Sequence, residues 1–151
     1  MATEFQLAID CADPQAMVRF WAPALGYIPE PPPAGHESWR SYWQAAGVPE
    51  EELPEGAGDV PESIIDPEGK KPRIWFQQVP EGKRVKNRWH FDLKVSGGIK
   101  VPLAERKKLI GQAVERYAAA GAQIIRVNDL PEMNHYAVAM SDPEGNEFDV
   151  V

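Results

Sequence analysis

Asp66-Pro67-Glu68-Gly69 returns unchanged as Asp142-Pro143-Glu144-Gly145, half a chain-length later in a protein of 151 residues. Proline presets φ for the second position of a type I turn and glycine suits the fourth, so each copy predicts a tight turn between two strands. The flanks agree: residues 62–65 and 73–79 bracket the first copy, 135–140 and 146–151 the second.

Upstream of each turn the order of elements also repeats. Residues 5–11 alternate like a strand, and Asp13-Pro14 then supplies an N-cap and a proline at the first helical position. The helix so started should run to Gly26, with Met17, Phe20, Trp21 and Ala24 at helical spacing and Pro23 weakening or kinking its last turn. In the second half residues 89–95 are the strand. Pro102 opens a helix in which Leu103, Ile110, Ala113, Val114 and Tyr117 share a face before Gly121 ends it, and 122–127 starts another strand. Each half therefore reads strand, helix, strand, strand, strand. The expectation is one α+β domain, 1–151, built of module one (4–80) and module two (86–151). Module one carries an insertion over 29–62 that holds prolines 31–33, Trp39-Arg40-Ser41-Tyr42-Trp43 and an acidic run from Glu50 to Glu62. Residues 38–46 read as a short helix within it. A segment of that length inside a compact domain is usually functional or mobile.

Composition bounds the function. Hydrophobic residues at 43%, with five Trp and five Phe, are ample for a packed core and exclude a wholly disordered chain. A net charge of −7 argues against a phosphate backbone as partner, so no nucleic acid is expected. The acidic run and the basic run at Lys83, Arg84, Lys86 and Arg88 read as solvated loops. Cys11 alone cannot form an internal disulfide. No apolar run approaches the roughly 18 residues of a membrane helix, and the first residues lack a basic leader. A soluble, cytoplasmic setting without membrane contact is the expectation.

Strand alternation separates two surfaces. Phe5, Leu7, Ile9 and Cys11 should pack under the helices while Gln6, Ala8 and Asp10 face away. Trp89, Phe91, Leu93 and Val95 likewise oppose His90, Asp92 and Lys94, and Phe148 and Val150 oppose Glu147 and Asp149. In 73–79, Trp75 and Gln77 share a face against Ile74 and Phe76. Trp75 is then free to stack on a planar ligand, and Trp39, Tyr42 and Trp43 can form a lid. Trp89 should be core.

With these residues in view, the chain resembles the vicinal oxygen chelate superfamily, in particular its glyoxalase-like and bleomycin-resistance-like domains. The most specific stretch is Asp66-Pro67-Glu68-Gly69, Trp75 to Glu81, and Lys86-Asn87-Arg88-Trp89-His90-Phe91-Asp92. The resemblance implies two βαβββ modules forming a curved, cup-like mixed sheet with the helices outside, and a homodimer. It implies metal ligands at Gln6, Gln77 (or, one register step away, Gln78), His90 and Asp149 for one divalent ion: nickel, zinc, cobalt or manganese. Two neutral amides are poor ligands for such an ion, so its absence is the expected state. The activity implied is a small-molecule lyase or isomerase working next to a carbonyl. Asp149 or Glu147 would move the proton, or His90 would do so without metal, beside Asp92 or Asp149. Trp75, Gln77, Asp92, Trp39 and Trp43 would contact the substrate. The alternative is stoichiometric sequestration of a bulky planar or cationic compound, as in bleomycin-resistance members.

Overall fold

A carboxylate heads the first helix. The Asp13 side chain accepts from the Ala16 N–H at 3.0 Å, Pro14 takes the first helical position, and Gly26, at φ 69°, closes the far end. The elements of the first unit, in the computed structural model that describes residues 2–151, are β1 (Leu7–Cys11), α1 (Pro14–Leu25), β2 (Ile28–Pro29), α2 (Trp39–Ala45), β3 (Ser63–Ile65) and β4 (Ile74–Gln78). Pro23 lies inside α1 without ending it, because the hydrogen bond it forfeits belongs to the final turn. α1 buries Met17, Val18, Phe20 and Trp21 and packs on β3 and β4, whose Ile64, Ile74 and Phe76 are fully inside. The sheet runs β1-β4-β3-β2, with β1 and β4 parallel and the other pairs antiparallel. Cys11 is buried, as its parity requires, whereas Phe5 precedes the ladder and is exposed.

The second unit, Gly82–Val151, repeats this plan: β5 (Asp92–Leu93), α3 (Leu103–Ala119), β6 (Gln123–Leu130), β7 (His135–Ser141) and β8 (Glu147–Val150), in sheet order β5-β8-β7-β6. Here too the first and last strands are parallel. α3 buries Ile110, Ala113, Val114 and Tyr117. It packs on β6, β7 and β8. The repeated strand-helix-strand-strand-strand grammar is thus the fold, an α+β chain of two βαβββ modules.

Two expectations are corrected. The strand expected over 89–95 is short: β5 pairs only at Asp92 and Leu93, flanked by single bonds from the Asp149 N–H to the Phe91 carbonyl and from the Val95 N–H to the Val151 carbonyl. Trp89 therefore lies before the ladder, where no pleat directs its side chain, and it is 86% exposed rather than core. Conversely β6 runs on to Leu130, with Ile124, Ile125 and Val127 exposed. Among the described residues no helix is long and apolar enough to cross a membrane.

Both Asp-Pro-Glu-Gly copies turn as expected, each closed by a bond from the glycine N–H to the aspartate carbonyl at 2.9 Å. The side chains complete the turns. Asp66 accepts from the N–H groups of Glu68, Lys70 and Lys71. Asp142, only 3% exposed, accepts from the N–H groups of Glu144 and Asn146 and from the Asn146 amide. Asp142→Ala, which strands those donors in a dry site, should cost about 2–3 kcal/mol in urea unfolding. Asp66→Ala, whose donors water can serve, should lose clearly less, and equal losses would contradict this account.

Candidate functional site

In the second unit the parallel pairing of β5 with β8 sets Asp92 level with Asp149. His90 lies two residues earlier on the same parity. Its Nε2 stands 3.3 Å from Asp92 Oδ1 and 3.7 Å from Asp149 Oδ2. One ligand atom from each of His90, Asp92 and Asp149 falls within 4.8 Å of the others, and all three side chains are partly open to solvent. An imidazole between two carboxylates is equipped to hold and pass a proton, and as a donor set it suits a divalent ion of the manganese-to-zinc series. Asp92, expected to touch substrate, belongs to this cluster.

Glu147 shares the parity of Asp149 but has other work. Its carboxylate accepts from the Asn87 N–H at 2.9 Å and pairs with Lys83 Nζ at 3.2 Å, while Lys83 also reaches the Val85 carbonyl. Burial pushes the Glu147 carboxyl up, but the Asn87 and Glu147 N–H groups and Lys83 outweigh it and hold the group below the usual range. It ties down the approach to β5, a purpose that also accounts for Lys83 in the basic run. Of the two β8 carboxylates, Asp149 is the one left facing His90, beside Asp92.

The register of the first unit assigns equivalent positions. Asp149 pairs with Ala139, three residues before Asp142, and with Asp92, two after His90. Trp75 pairs with Ser63, three residues before Asp66, and with Ala8, two after Gln6. Trp75 thus stands where the second unit has Asp149, Gln6 where it has His90, and Ala8 where it has Asp92. Gln77 is level with Asp10, and Gln6, preceding the Leu7–Ile74 pair, is level with Arg73. The structure separates the two amides by about 13 Å along the strands at roughly 3.3 Å per residue. Gln6 Oε1 is instead taken by Arg73 Nη1 at 3.0 Å. The shift escapes a count from the turn because the loop after Asp66 is two residues longer than the loop after Asp142.

The insertion forms a second feature of this unit. α2 starts with a capping box between Ser38 and Ser41, matching the short helix expected over 38–46. Arg40 binds the insertion together through the carbonyls of Pro54 and Ala57 and the Glu50 carboxylate. Trp43 lies on Gly58, where a Cβ would come within 2.5 Å of the indole and where φ is +74°, so glycine is required. Trp39, Trp43 and Trp75, each half-buried, enclose a cavity of about 190 Å³ with Glu62, Ser63 and Arg73. Trp39 Nε1 donates to the Glu30 carbonyl, and the Arg73 guanidinium lies 6.0 Å over the same indole. Arg73 is neutralised by Glu30 at 2.6 Å and donates to Ser63 Oγ. Burial pushes the Glu62 carboxyl up and nearby Asp59 adds to this, against one bond from the Gly58 N–H. Glu62 was hidden in an acidic run that reads as solvated. Its one distinguishing sign is its place directly before buried Ser63.

Residues 6–151 match the family model for the glyoxalase-like domain. No curated protein matches the chain. Among solved structures, a glyoxalase/bleomycin resistance protein/dioxygenase family enzyme from Burkholderia phytofirmans PsJN is 18% identical, with 96% of this chain and 94% of that one covered and a TM-score of 0.54. The genomically encoded fosfomycin resistance protein FosX from Listeria monocytogenes is 9% identical over 99% of this chain and 92% of its own, with a TM-score of 0.57. A point mutant of that protein, solved with Mn(II) and 1S,2S-dihydroxypropylphosphonic acid, is 10% identical over 99% and 90%, with a TM-score of 0.54. At these identities the likeness is one of fold.

The Glu147 clamp predicts a pH signature. A carboxyl held below its ordinary value of 4.5 stabilises the fold fully above that value and ceases to do so as pH falls through its lower folded value. Glu147→Gln should therefore lower the thermal midpoint at pH 7, and the gap to the unsubstituted protein should narrow as pH falls below 4.5. A gap that persists in acid would remove the charge-based account.

Proposed function

The chain belongs to the glyoxalase-like domain family of the vicinal oxygen chelate superfamily, and from that premise we propose that it is a small-molecule lyase or isomerase acting next to a carbonyl at His90, Asp92 and Asp149. The observation that carries this reading is the convergence of these three side chains within 4.8 Å. Proton transfer next to a carbonyl needs a group that takes a proton from carbon and returns it to the neighbouring atom, and an imidazole flanked by carboxylates does both. Asp92, 3.3 Å from Nε2, orients the ring and balances the imidazolium that forms. Asp149 is the second base within reach, since the oxygens of Glu147 are occupied.

The same donors fit a divalent ion: one imidazole and two carboxylates are the chemistry that manganese, cobalt, nickel or zinc accepts. Such an ion would polarise the substrate oxygen and steady developing negative charge. Where His90, Asp92 and Asp149 would all hold such an ion none of them would remain a free base, so the proton-moving role of His90 belongs to the ion-free site. The competing reading, stoichiometric sequestration, draws support from the aromatic cavity of the first unit.

The test is proton exchange in D₂O, followed by NMR, at the carbon adjacent to the carbonyl in a panel of hydroxycarbonyl compounds and of thiol adducts of oxoaldehydes. His90→Ala should lower exchange by about 100-fold or more while circular dichroism stays unchanged; retained turnover in that variant ends the reading. Compounds recovered unexchanged from stoichiometric complexes would favour sequestration. Added Mn(II) or Co(II) should quench Trp89, next in sequence to His90 and open to solvent, and should fail to do so in His90→Ala. Identical quenching in the variant would place the ion elsewhere.

A further inference from the structure

The aromatic cavity of the first unit holds a charge that nothing answers. Glu62 is partly buried, and its Oε1 accepts only from the Gly58 N–H. Among the described residues no lysine or arginine pairs with it: the one cation lining the cavity, Arg73, is spent on Glu30, Ser63 and Gln6. Desolvating a carboxylate without a partner is costly, and a fold that keeps one beside a cavity leaves it to be balanced by whatever enters. The walls specify the form of that balance. Three of the six lining residues are half-buried indoles, which offer π surface and no hydrogen-bond acceptor. Trp39 and Trp43 stand with ring centres 6.2 Å apart at 39°. Trp75 enters from β4 at the position where the second unit carries a carboxylate. A hydrated metal ion or a primary ammonium would find few oxygens here, whereas an alkylated ammonium sheds water readily and is attracted by the indole faces. The volume of about 190 Å³ equals that of about six water molecules at roughly 30 Å³ each, room for a head group and not for an extended polycation.

We infer that the first unit binds a small alkylated ammonium ion between Trp39, Trp43 and Trp75, with the Glu62 carboxylate as its counter-charge. The cavity is built entirely from residues of the first unit, so the site stands independently of the chemistry at His90. Its rigidity comes from the insertion. Gly58 admits Trp43, Arg40 ties α2 to the loop at Pro54 and Ala57, and the Glu30–Arg73 pair seats Trp39. A preformed box of this kind loses little side-chain freedom on binding.

The probe is choline, with 3,3-dimethylbutan-1-ol as the isostere that lacks only the charge, titrated into the full chain by calorimetry at constant ionic strength. Choline should bind saturably at one site per chain, and the neutral alcohol should bind at least about tenfold more weakly. Glu62→Gln, which keeps the volume and removes the charge, should weaken choline by about tenfold or more and leave the alcohol unchanged. Trp75→Leu should weaken choline as well. His90→Ala should leave choline affinity intact, which separates this site from the proposed reacting centre. Equal affinity for the two probes would show a merely apolar pocket, and a Glu62→Gln variant that binds choline normally would remove the counter-charge. A folded unsubstituted chain that binds no choline would overturn the inference outright, with circular dichroism certifying the fold in each case.

Discussion

Strand register is the constraint on which both sites rest, and it is held by carboxylates at the turns. A side chain in a strand alternates with period two, so a slip of one residue would send every inward group outward. Asp142, buried and saturated with backbone N–H donors, fixes where β8 begins relative to β7 and thereby puts Asp149 on the face of Asp92 and His90. Asp66 does the same for β4, with two more residues in the loop, and the face position goes to Trp75. The same fixed hairpin therefore delivers a carboxylate in one unit and an indole in the other.

The electrostatics of the two units diverge accordingly. In the second, two carboxylates face an imidazole at ion-pair distance, and a third, Glu147, is consumed in holding the segment that leads to them. In the first, the position equivalent to the imidazole is Gln6, and it serves Arg73, whose charge Glu30 cancels. What remains uncancelled in that cavity is Glu62 alone. The sign of charge at the two positions is set by local pairing and owes little to the overall acidity of the chain.

Much of the fold is legible in the sequence because it rests on local rules. The repeated turn, the Asp13-Pro14 helix start and the glycine stop at Gly26 all use short-range chemistry that sequence displays. Strand alternation groups His90, Asp92 and Asp149 on one face, and the structure brings the three together. Alternation misleads where the pairing itself is not local. Trp89 falls outside its expected strand because the ladder starts only at Asp92, and Gln77 misses Gln6 because the loop after Asp66 is the longer one. Glu62 is barely legible, because its burial depends on the insertion folding back on itself, with Arg40 reaching the carbonyl of Ala57 well along the chain and Gly58 then meeting Glu62.

The register also limits what kind of ion centre the chain could form. Within the first unit the position equivalent to Asp149 belongs to Trp75, and an indole has no lone pair to give. Gln6 offers only an amide oxygen already bound by a guanidinium. An ion held by the three donors of the second unit, an imidazole and two carboxylates, would keep coordination positions for water or a ligand. Sites with three protein ligands and an open position are the arrangement that lets an ion act on substrate, whereas four protein ligands close it into a structural role. At the position where the second unit has the carboxylate of Asp149, the indole of Trp75 gives the first unit its third aromatic wall instead.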